Sequence, residues 1–135
     1  MLLSLQDMFS NAQTLSVDVG TNDSTNTLNW GAHGDDIGGL LTWTVQIMNT
    51  AASDGAATLQ IIWYTSEDGD SWTAVYTGTA NAKASVVAGA MLIDGEFLPR
   101  NLKMYNKLVY TTGIAAWTTA PIVTAYLTDN GMKRT

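Results

Sequence analysis

Leu41-Thr42-Trp43-Thr44-Val45-Gln46-Ile47 is the stretch that decides the fold, because apolar and polar side chains alternate along its whole length. Successive side chains of a β-strand point to opposite faces, so Leu41, Trp43, Val45 and Ile47 would share one buried face. The stretch is also rich in β-branched and aromatic residues, which favour strands. It therefore predicts a strand with one side in a protein core, and both Trp43 and the similarly placed Trp63 are predicted core residues.

The same alternation recurs elsewhere, in residues 15–19, 58–63 and 122–127. Turn signals separate these runs, and they are Gly20-Thr21-Asn22-Asp23, Gly38-Gly39, Ser53-Asp54-Gly55, Glu67-Asp68-Gly69-Asp70, Asp94-Gly95, Thr112-Gly113 and Asn130-Gly131. The predicted strands are 15–19, 27–30, 40–48, 57–65, 72–78, 83–87, 90–96, 104–111 and 121–128. This spacing predicts an all-β fold, a jelly-roll-like antiparallel β-sandwich with about eight strands.

The length of 135 residues predicts one domain, residues 1–135. Only residues 2–12 have a helical pattern, in which Leu2, Leu5, Met8-Phe9 and Ala12 recur at helical spacing. Residues 1–14 are therefore predicted to form a short N-terminal arm on a neighbouring subunit, or a short helix that closes one end of the sandwich.

The composition excludes several classes of function. There are no cysteines, so the chain has no disulfide, thiolate metal site or cysteine nucleophile. The net charge is −6, with −9 in residues 1–82 and +3 in residues 83–135, and an acidic chain is a poor ligand for phosphate backbones or anionic membranes. We therefore expect neither nucleic acid nor membrane as a partner. Residues 1–7 lack the basic start of a signal peptide, so we expect no secretion through a membrane.

The residues for catalysis or metal binding are sparse. His33 is the only histidine, and it stands between Gly31 and Gly34 in a predicted loop. Glu67-Asp68-Gly69-Asp70 lacks the calcium-loop spacing, and a β-hairpin turn explains it more simply. We predict no catalytic residue, no metal site, no cofactor and no enzymatic activity.

Aromatic and basic residues give the candidate contacts. Trp30, Trp72 and Trp117 flank predicted turns, where they could lie in an interface or stack on a ligand. Lys103, Tyr105 and Lys107 would share one face of a strand, with Met104, Asn106, Leu108 and Tyr110 on the other. Two interpretations remain open for that strand. It could be an edge strand whose lysines discourage association, or a surface that docks on an acidic partner. The candidate interface residues are Leu5, Phe9, Trp30, Trp72, Lys103, Tyr105, Lys107 and Trp117.

A series of short motifs resembles a known family through most of the chain. They are Phe9-Ser10-Asn11-Ala12-Gln13, Leu28-Asn29-Trp30-Gly31, Asp36-Ile37-Gly38, Gly55-Ala56-Ala57-Thr58-Leu59, Thr65-Ser66-Glu67-Asp68, Leu98-Pro99-Arg100, Met104-Tyr105-Asn106-Lys107-Leu108-Val109-Tyr110 and Thr124-Ala125-Tyr126-Leu127-Thr128-Asp129. In order and spacing, these motifs are similar to those of the small cement proteins of short-tailed phage heads, the group typified by a Bordetella phage.

The resemblance implies a jelly-roll-like sandwich that forms symmetric oligomers on the outer capsid surface. It implies binding to the major capsid protein in many copies per head, with no cofactor, after assembly in the bacterial cytoplasm. Two-fold symmetry is the commonest closed arrangement, so a homodimer is expected rather than a homotrimer. The alternative function is a carbohydrate-binding module of a virion or host-recognition apparatus, in which surface tryptophans stack on sugars.

Overall fold

The computed structural model of the chain describes residues 8–29 and 41–129. Within them are ten strands and one 3-10 helix at Lys83–Ser85. The strands are β1 (Met8–Thr14), β2 (Gly20–Asp23), β3 (Leu28–Asn29), β4 (Leu41–Ile47), β5 (Thr58–Ser66), β6 (Thr73–Thr77), β7 (Asn81–Ala82), β8 (Met91–Phe97), β9 (Tyr105–Gly113) and β10 (Ile122–Asp129). In this part of the chain, no helix has the length and apolar character needed to cross a membrane.

The strands form two antiparallel sheets with the order of a jelly roll. The first sheet has the order β1-β10-β4-β8, and the second has the order β2-β9-β5-β6. The short strand β3 continues β2 along β9, and β7 continues β6 along β5. If each continuation is counted with its neighbour, eight strands remain in the alternating two-sheet order of a jelly roll. The predicted all-β, jelly-roll-like sandwich is therefore confirmed.

The longest strand pair shows how alternation builds the core. Every residue of β5 pairs with β9, from Thr58 with Gly113 to Ser66 with Tyr105. Directly opposed residues of a ladder share one face of the sheet. Trp63 and Leu108 are one such pair, and both are fully buried between the sheets.

Aromatic rings fill the centre of that core. Trp43 of β4 and Trp63 of β5 meet across the sandwich with ring centroids 5.0 Å apart and planes at 87°. Phe9 contacts Trp63 at 5.0 Å, and Tyr76 contacts Trp43 at 5.1 Å, both edge to face. Such pairs stabilise a fold by about 0.5–1.5 kcal/mol each beyond their buried area. The prediction that Trp43 and Trp63 are core residues is confirmed.

The sheet edges are short or irregular. In the first sheet, β1 has register shifts against β10, and β8 has register shifts against β4. Ala12 adopts a φ of 52° in β1, and Gly95 adopts a φ of 64° in β8. In the second sheet, β2 is four residues long and β6 has a register shift against β5.

Two sequence predictions for the first part of the chain are wrong. Residues 8–12 are strand and not helix: Met8, Phe9 and Ser10 are all buried, and the register shifts of β1 remove the alternation that marks a strand. Residues 1–7, with Leu5, lie outside the described residues. The predicted strand 15–19 and the predicted turn after it are exchanged: residues 15–19 are a loop with bends at 17–19, and Gly20–Asp23 is the strand β2, which pairs with β9.

Two further predictions fail near the middle of the chain. Residues 83–85 form the 3-10 helix instead of a strand, and Val86 after it is fully buried. Asp94-Gly95 is not a turn between strands but lies inside β8, where the positive φ of Gly95 accompanies a register irregularity. Glycine at a bulge carries the same local signal as glycine at a hairpin turn.

Candidate functional site

The candidate contact residues of β9 lie on the outer face of the second sheet. Tyr105 and Lys107 point outward from β9, while Asn106 and Leu108 are buried in the core. The predicted division of this strand into two faces is therefore confirmed for residues 105–110. The edge-strand interpretation is wrong, because β9 lies between β2 and β5. Its lysines are thus not guards against edge-to-edge association.

Lys107 is held by two partners from other strands and loops. Its Nζ lies 3.2 Å from Asp23 Oδ2 on β2, and 4.5 Å from the centroid of the Trp72 ring. The side chain of Lys107 retains only 17% of its exposure, so both contacts are partly shielded from water. A cation over an indole face is attracted by the ring quadrupole. Lys107 therefore joins β2, β9 and the start of β6 on the outer face.

Lys103 lies just before β9 and has a looser partner. Its Nζ is 3.2 Å from Glu67 Oε1, and both side chains are largely exposed. Its backbone N–H donates to Thr65 Oγ1 at 2.7 Å, which fixes the loop against β5. An exposed ion pair of this kind contributes little to stability and leaves Lys103 able to exchange partners.

Glu67-Asp68-Gly69-Asp70 forms a hydrogen-bonded hairpin turn between β5 and β6, as predicted. Asp68 Oδ1 accepts hydrogen bonds from the backbone N–H groups of Asp70 and Ser71 and from Ser66 Oγ. The backbone bonds from Ser71 and Asp70, and the Ser66 hydroxyl bond, lower the pKa of Asp68 to about 2. Gly69 supplies the positive φ of 82° that the turn requires. The Asp68 carboxylate is committed to the turn.

A cleft lies between β6 and the loop before β9. It has a volume of about 570 Å³. It is lined by Thr65, Thr73, Ala74, Val75, Arg100, Asn101 and Lys103. Arg100 is exposed there, and no ion pair joins it to another described residue. The cleft offers two cations and the hydroxyl groups of Thr65 and Thr73, which suit a carboxylate on a partner protein.

Four other predicted contact residues, Phe9, Trp30, Trp72 and Trp117, have different outcomes. Phe9 is fully buried against Trp63, and Trp117 is 3% exposed. The prediction that Trp117 lies at the surface is wrong, because its ring fills the end of the core and its Nε1 donates to Thr112 Oγ1 at 3.0 Å. Trp30 lies outside the described residues, as does His33. Trp72 is half-buried under Lys107.

Sequence reasoning missed an apolar group at the opposite end of the sandwich. Val17, Val19 and Ile114 are three of the exposed large apolar residues of the described chain. The alternation in residues 15–19 predicts a strand that contains Val17 and Val19, and no sequence pattern distinguishes Ile114. Their exposure has no signal in the sequence, because an alternating apolar set predicts burial.

Acidic and metal-ligating side chains do not converge in the described ranges. Within residues 8–29 and 41–129, no group of three or more His, Cys, Asp or Glu side chains is placed to hold a metal ion. The polar groups of the outer face are instead arranged in ion pairs and turn bonds.

The family comparison decides what the chain is. A family model described as Bbp16 matches residues 9–127. The chain belongs to the Bbp16 family. The Bbp16 match begins at Phe9 in β1 and ends at Leu127 in β10, so it spans both sheets of the jelly roll. Among curated proteins, none matches the chain.

Bbp16 is a Bordetella phage protein family, and membership makes the chain a phage structural protein and a virion component. The outer-face residues Lys103 and Lys107, the cleft at Arg100, and the apolar group at Ile114 all lie inside the Bbp16 match. Each candidate contact surface is therefore part of the family domain and not of an added segment.

Proposed function

We propose that the protein is a capsid cement, or decoration, protein that binds the outer surface of the major capsid protein shell. The observation that carries the proposal is the Bbp16 match across the whole jelly roll. The protein then acts by binding and not by catalysis, without a cofactor, nucleic acid or membrane. It is assembled onto heads in the bacterial cytoplasm and remains on the outside of the virion.

The mechanism follows from rigidity and repetition. Packaged DNA pushes neighbouring capsomers apart, and a module that bridges two of them adds contact area that must be lost before they separate. A closed sandwich with an aromatic core is already ordered, so docking loses little conformational entropy. Each contact can be weak, because many copies on one shell act together.

The positive groups beside the cleft support an acidic docking partner. Arg100 lines the cleft without an ion pair to another described residue, and Lys103 has only an exposed pair with Glu67. Both cations can therefore accept a carboxylate of the capsid without breaking a buried interaction. Such charge complementarity contributes to orientation and association rate.

We also propose that the protein is a homodimer. Closed two-fold symmetry is the commonest arrangement of identical subunits. Residues 42–48 and 122–128, in the middle of the first sheet, contain no charged side chain. A light-scattering mass of twice the chain mass is expected, and a mass of three chains contradicts the dimer.

The carbohydrate-binding alternative has less support. Of the three tryptophans considered for sugar stacking, Trp117 is in the core and Trp72 has Lys107 over its ring. Trp30 lies outside the described residues. A glycan array with a fluorescence titration distinguishes the functions, since sugar-dependent quenching at Trp72 or Trp30 favours the alternative.

Head stability tests the main proposal directly. Purified protein is titrated into heads that lack their decoration, and the melting temperature of the heads is followed by release of DNA to a dye. We expect a saturable rise, with an unrelated acidic β-sandwich as the control. If the heads melt at an unchanged temperature while the protein stays folded, the proposal fails.

A further inference from the structure

The feature of interest is an exposed apolar group at one end of the sandwich. Val17, Val19 and Ile114 are 41%, 57% and 77% exposed, and we call these three side chains the apolar tip. They come from two neighbouring loops: Gly20 pairs with Thr112 at the last rung of the β2–β9 ladder, and the Trp117 N–H donates to the Val17 carbonyl at 2.8 Å. The ladder and this bond hold the two loops side by side.

The backbone at Ile114 is strained. Its φ is 69°, in the left-handed region that a β-branched residue rarely adopts. The Ala115 N–H donates to the Gly113 carbonyl at 2.7 Å, which closes a tight three-residue turn centred on Ile114. Glycine would adopt this conformation without strain. Strained backbone of this kind concentrates at functional sites.

The loop that carries Ile114 is held in place by contacts with Ser53, Gly55 and the core. Ser53 Oγ donates to the Ala116 carbonyl at 2.7 Å, and Trp117 anchors the loop in the core. Gly55 packs so closely that an added Cβ would lie 2.8 Å from the Cβ of Ala115. The strained turn is thus fixed by neighbours on both sides. A fixed loop presents its side chain without losing entropy on docking.

We propose that the apolar tip is a docking surface for the major capsid protein shell, separate from the cleft at Arg100, with Ile114 as the anchor in an apolar depression of the shell. This rests on the proposed cement function. Ile114 is 77% exposed and its backbone φ is 69°, so little of its side chain is buried within the chain itself. An apolar partner would bury the side chain that the turn presents.

The size of the tip favours a repeating shell over a second copy of this chain. Three side chains cannot supply the roughly 800 Å² per partner that a stable two-body interface needs. On a shell, many small contacts add up through multivalency. End-on docking also leaves the outer faces and the cleft at Arg100 free for neighbouring capsomers or subunits.

The test separates docking from folding. Ile114→Asn and Ile114→Gly remove the apolar side chain with residues that tolerate positive φ, so we expect a melting temperature equal to or above that of the wild type. We expect both variants to lose at least about tenfold in affinity for undecorated heads, as for a contact hot spot. Phe97→Ser is the matched control, since Phe97 is 68% exposed but lies at the other end of the sandwich, and it should bind as the wild type does.

The outcomes distinguish the two proposals. If the wild type does not bind heads, the cement function fails and the docking surface fails with it. If the wild type binds and both Ile114 variants bind equally well, the cement function stands and the tip is not a docking surface. Loss of self-association without loss of head binding would assign the tip to a second copy and overturn the inference. If Ile114→Asn is poorly folded, Ile114→Gly decides.

Discussion

The hydroxyl oxygens of Ser10 and Tyr110 lie 2.7 Å apart in the protein interior, and their hydrogen bond joins β1 of the first sheet to β9 of the second. Both residues are fully buried. Ser10 Oγ also lies 2.6 Å from Gln13 Oε1, to which it donates. The tyrosine hydroxyl is then the donor to Ser10, and the pair forms a polar link across an otherwise apolar core.

Tyr110→Phe removes this link without leaving a cavity. Ser10 keeps Gln13 as its partner, so we expect the free energy of unfolding to fall by only about 1 kcal/mol. Urea unfolding followed by tryptophan fluorescence measures the change. A loss above about 3 kcal/mol would show that the hydroxyl pair is worth more than one ordinary hydrogen bond.

Because the Tyr110 hydroxyl is buried, we expect the free energy of unfolding to depend on pH in the alkaline range. Burial raises the pKa of Tyr110 above its usual value of 10.0. Above pH 10 the unfolded chain loses this proton while the folded chain keeps it, so stability falls as the pH rises. Tyr110→Phe should fall less steeply, by up to about 1.4 kcal/mol per pH unit. Parallel slopes for the two proteins between pH 10 and 11 would contradict this.

We expect replacement of Asn106 to lower the free energy of unfolding by more than Tyr110→Phe does. Its Oδ1 accepts from Trp63 Nε1 at 3.0 Å, and its Nδ2 donates to the Lys103 carbonyl at 3.0 Å, with the side chain fully buried. Asn106→Leu removes both hydrogen bonds while the Trp63 indole N–H and the Lys103 carbonyl remain, and we expect a loss of about 2–4 kcal/mol. Chemical denaturation measures it. Leu108→Met, a substitution of similar volume at the next inward position of β9, is the control and should lose under about 1.5 kcal/mol.

We expect the stability that Asp68 gives to the turn between β5 and β6 to be lost in acid. With its pKa at about 2 in the folded state and 3.8 as the ordinary value, its contribution is present above pH 4 and is lost as the pH falls toward 2. Asp68→Ala should therefore lower the melting temperature at pH 6, and the difference from the wild type should shrink at pH 2. Asp70→Ala is the matched control, because Asp70 contributes to the turn through its backbone N–H. Equal effects of the two substitutions at pH 6 would rule out this role for the Asp68 carboxylate.

We expect Lys107 and Lys103 to differ in how much each contributes to the stability of the fold. Lys107→Ala removes the contact with Trp72 and the pair with Asp23, and we expect a loss of about 1 kcal/mol together with a red-shifted emission from the newly hydrated Trp72. Lys103→Ala removes only an exposed pair with Glu67 and should change stability by less than about 0.5 kcal/mol. Thermal melts and emission spectra of both variants check this.

The sequence predicts those strands whose alternation is unbroken. For β4, β5 and β10, inward residues such as Trp43 and Trp63 are mostly apolar and adjacent residues are polar or half-buried. The strand β9 follows this alternation except at Asn106, which is polar and inward, and at Val109, which is apolar and buried on the other face. For β1, register shifts put Met8, Phe9 and Ser10 in the interior together, so the local pattern imitates a helix. A period-based prediction fails wherever tertiary pairing is irregular.

The contact surfaces depend on long-range pairing and could be predicted only in part. Which residues of β9 point outward follows from alternation, but the central position of β9 does not. Asp23 lies 84 residues before Lys107 and reaches it only because β2 pairs with β9. The exposure of Ile114 likewise follows from a turn that places a β-branched residue at positive φ, which no local preference favours.

The irregular edges of the two sheets have a consequence for the proposed role as a capsid cement protein. An uninterrupted edge strand invites the same strand of another molecule to add to it, and the resulting fibre has no natural end. Here β1 and β8 are bulged, β2 is short and β6 is shifted in register. Neighbouring copies on a capsid would therefore contact each other through side chains and not through paired edge strands. The number of copies in the assembly would then be limited by the capsid lattice that they cover.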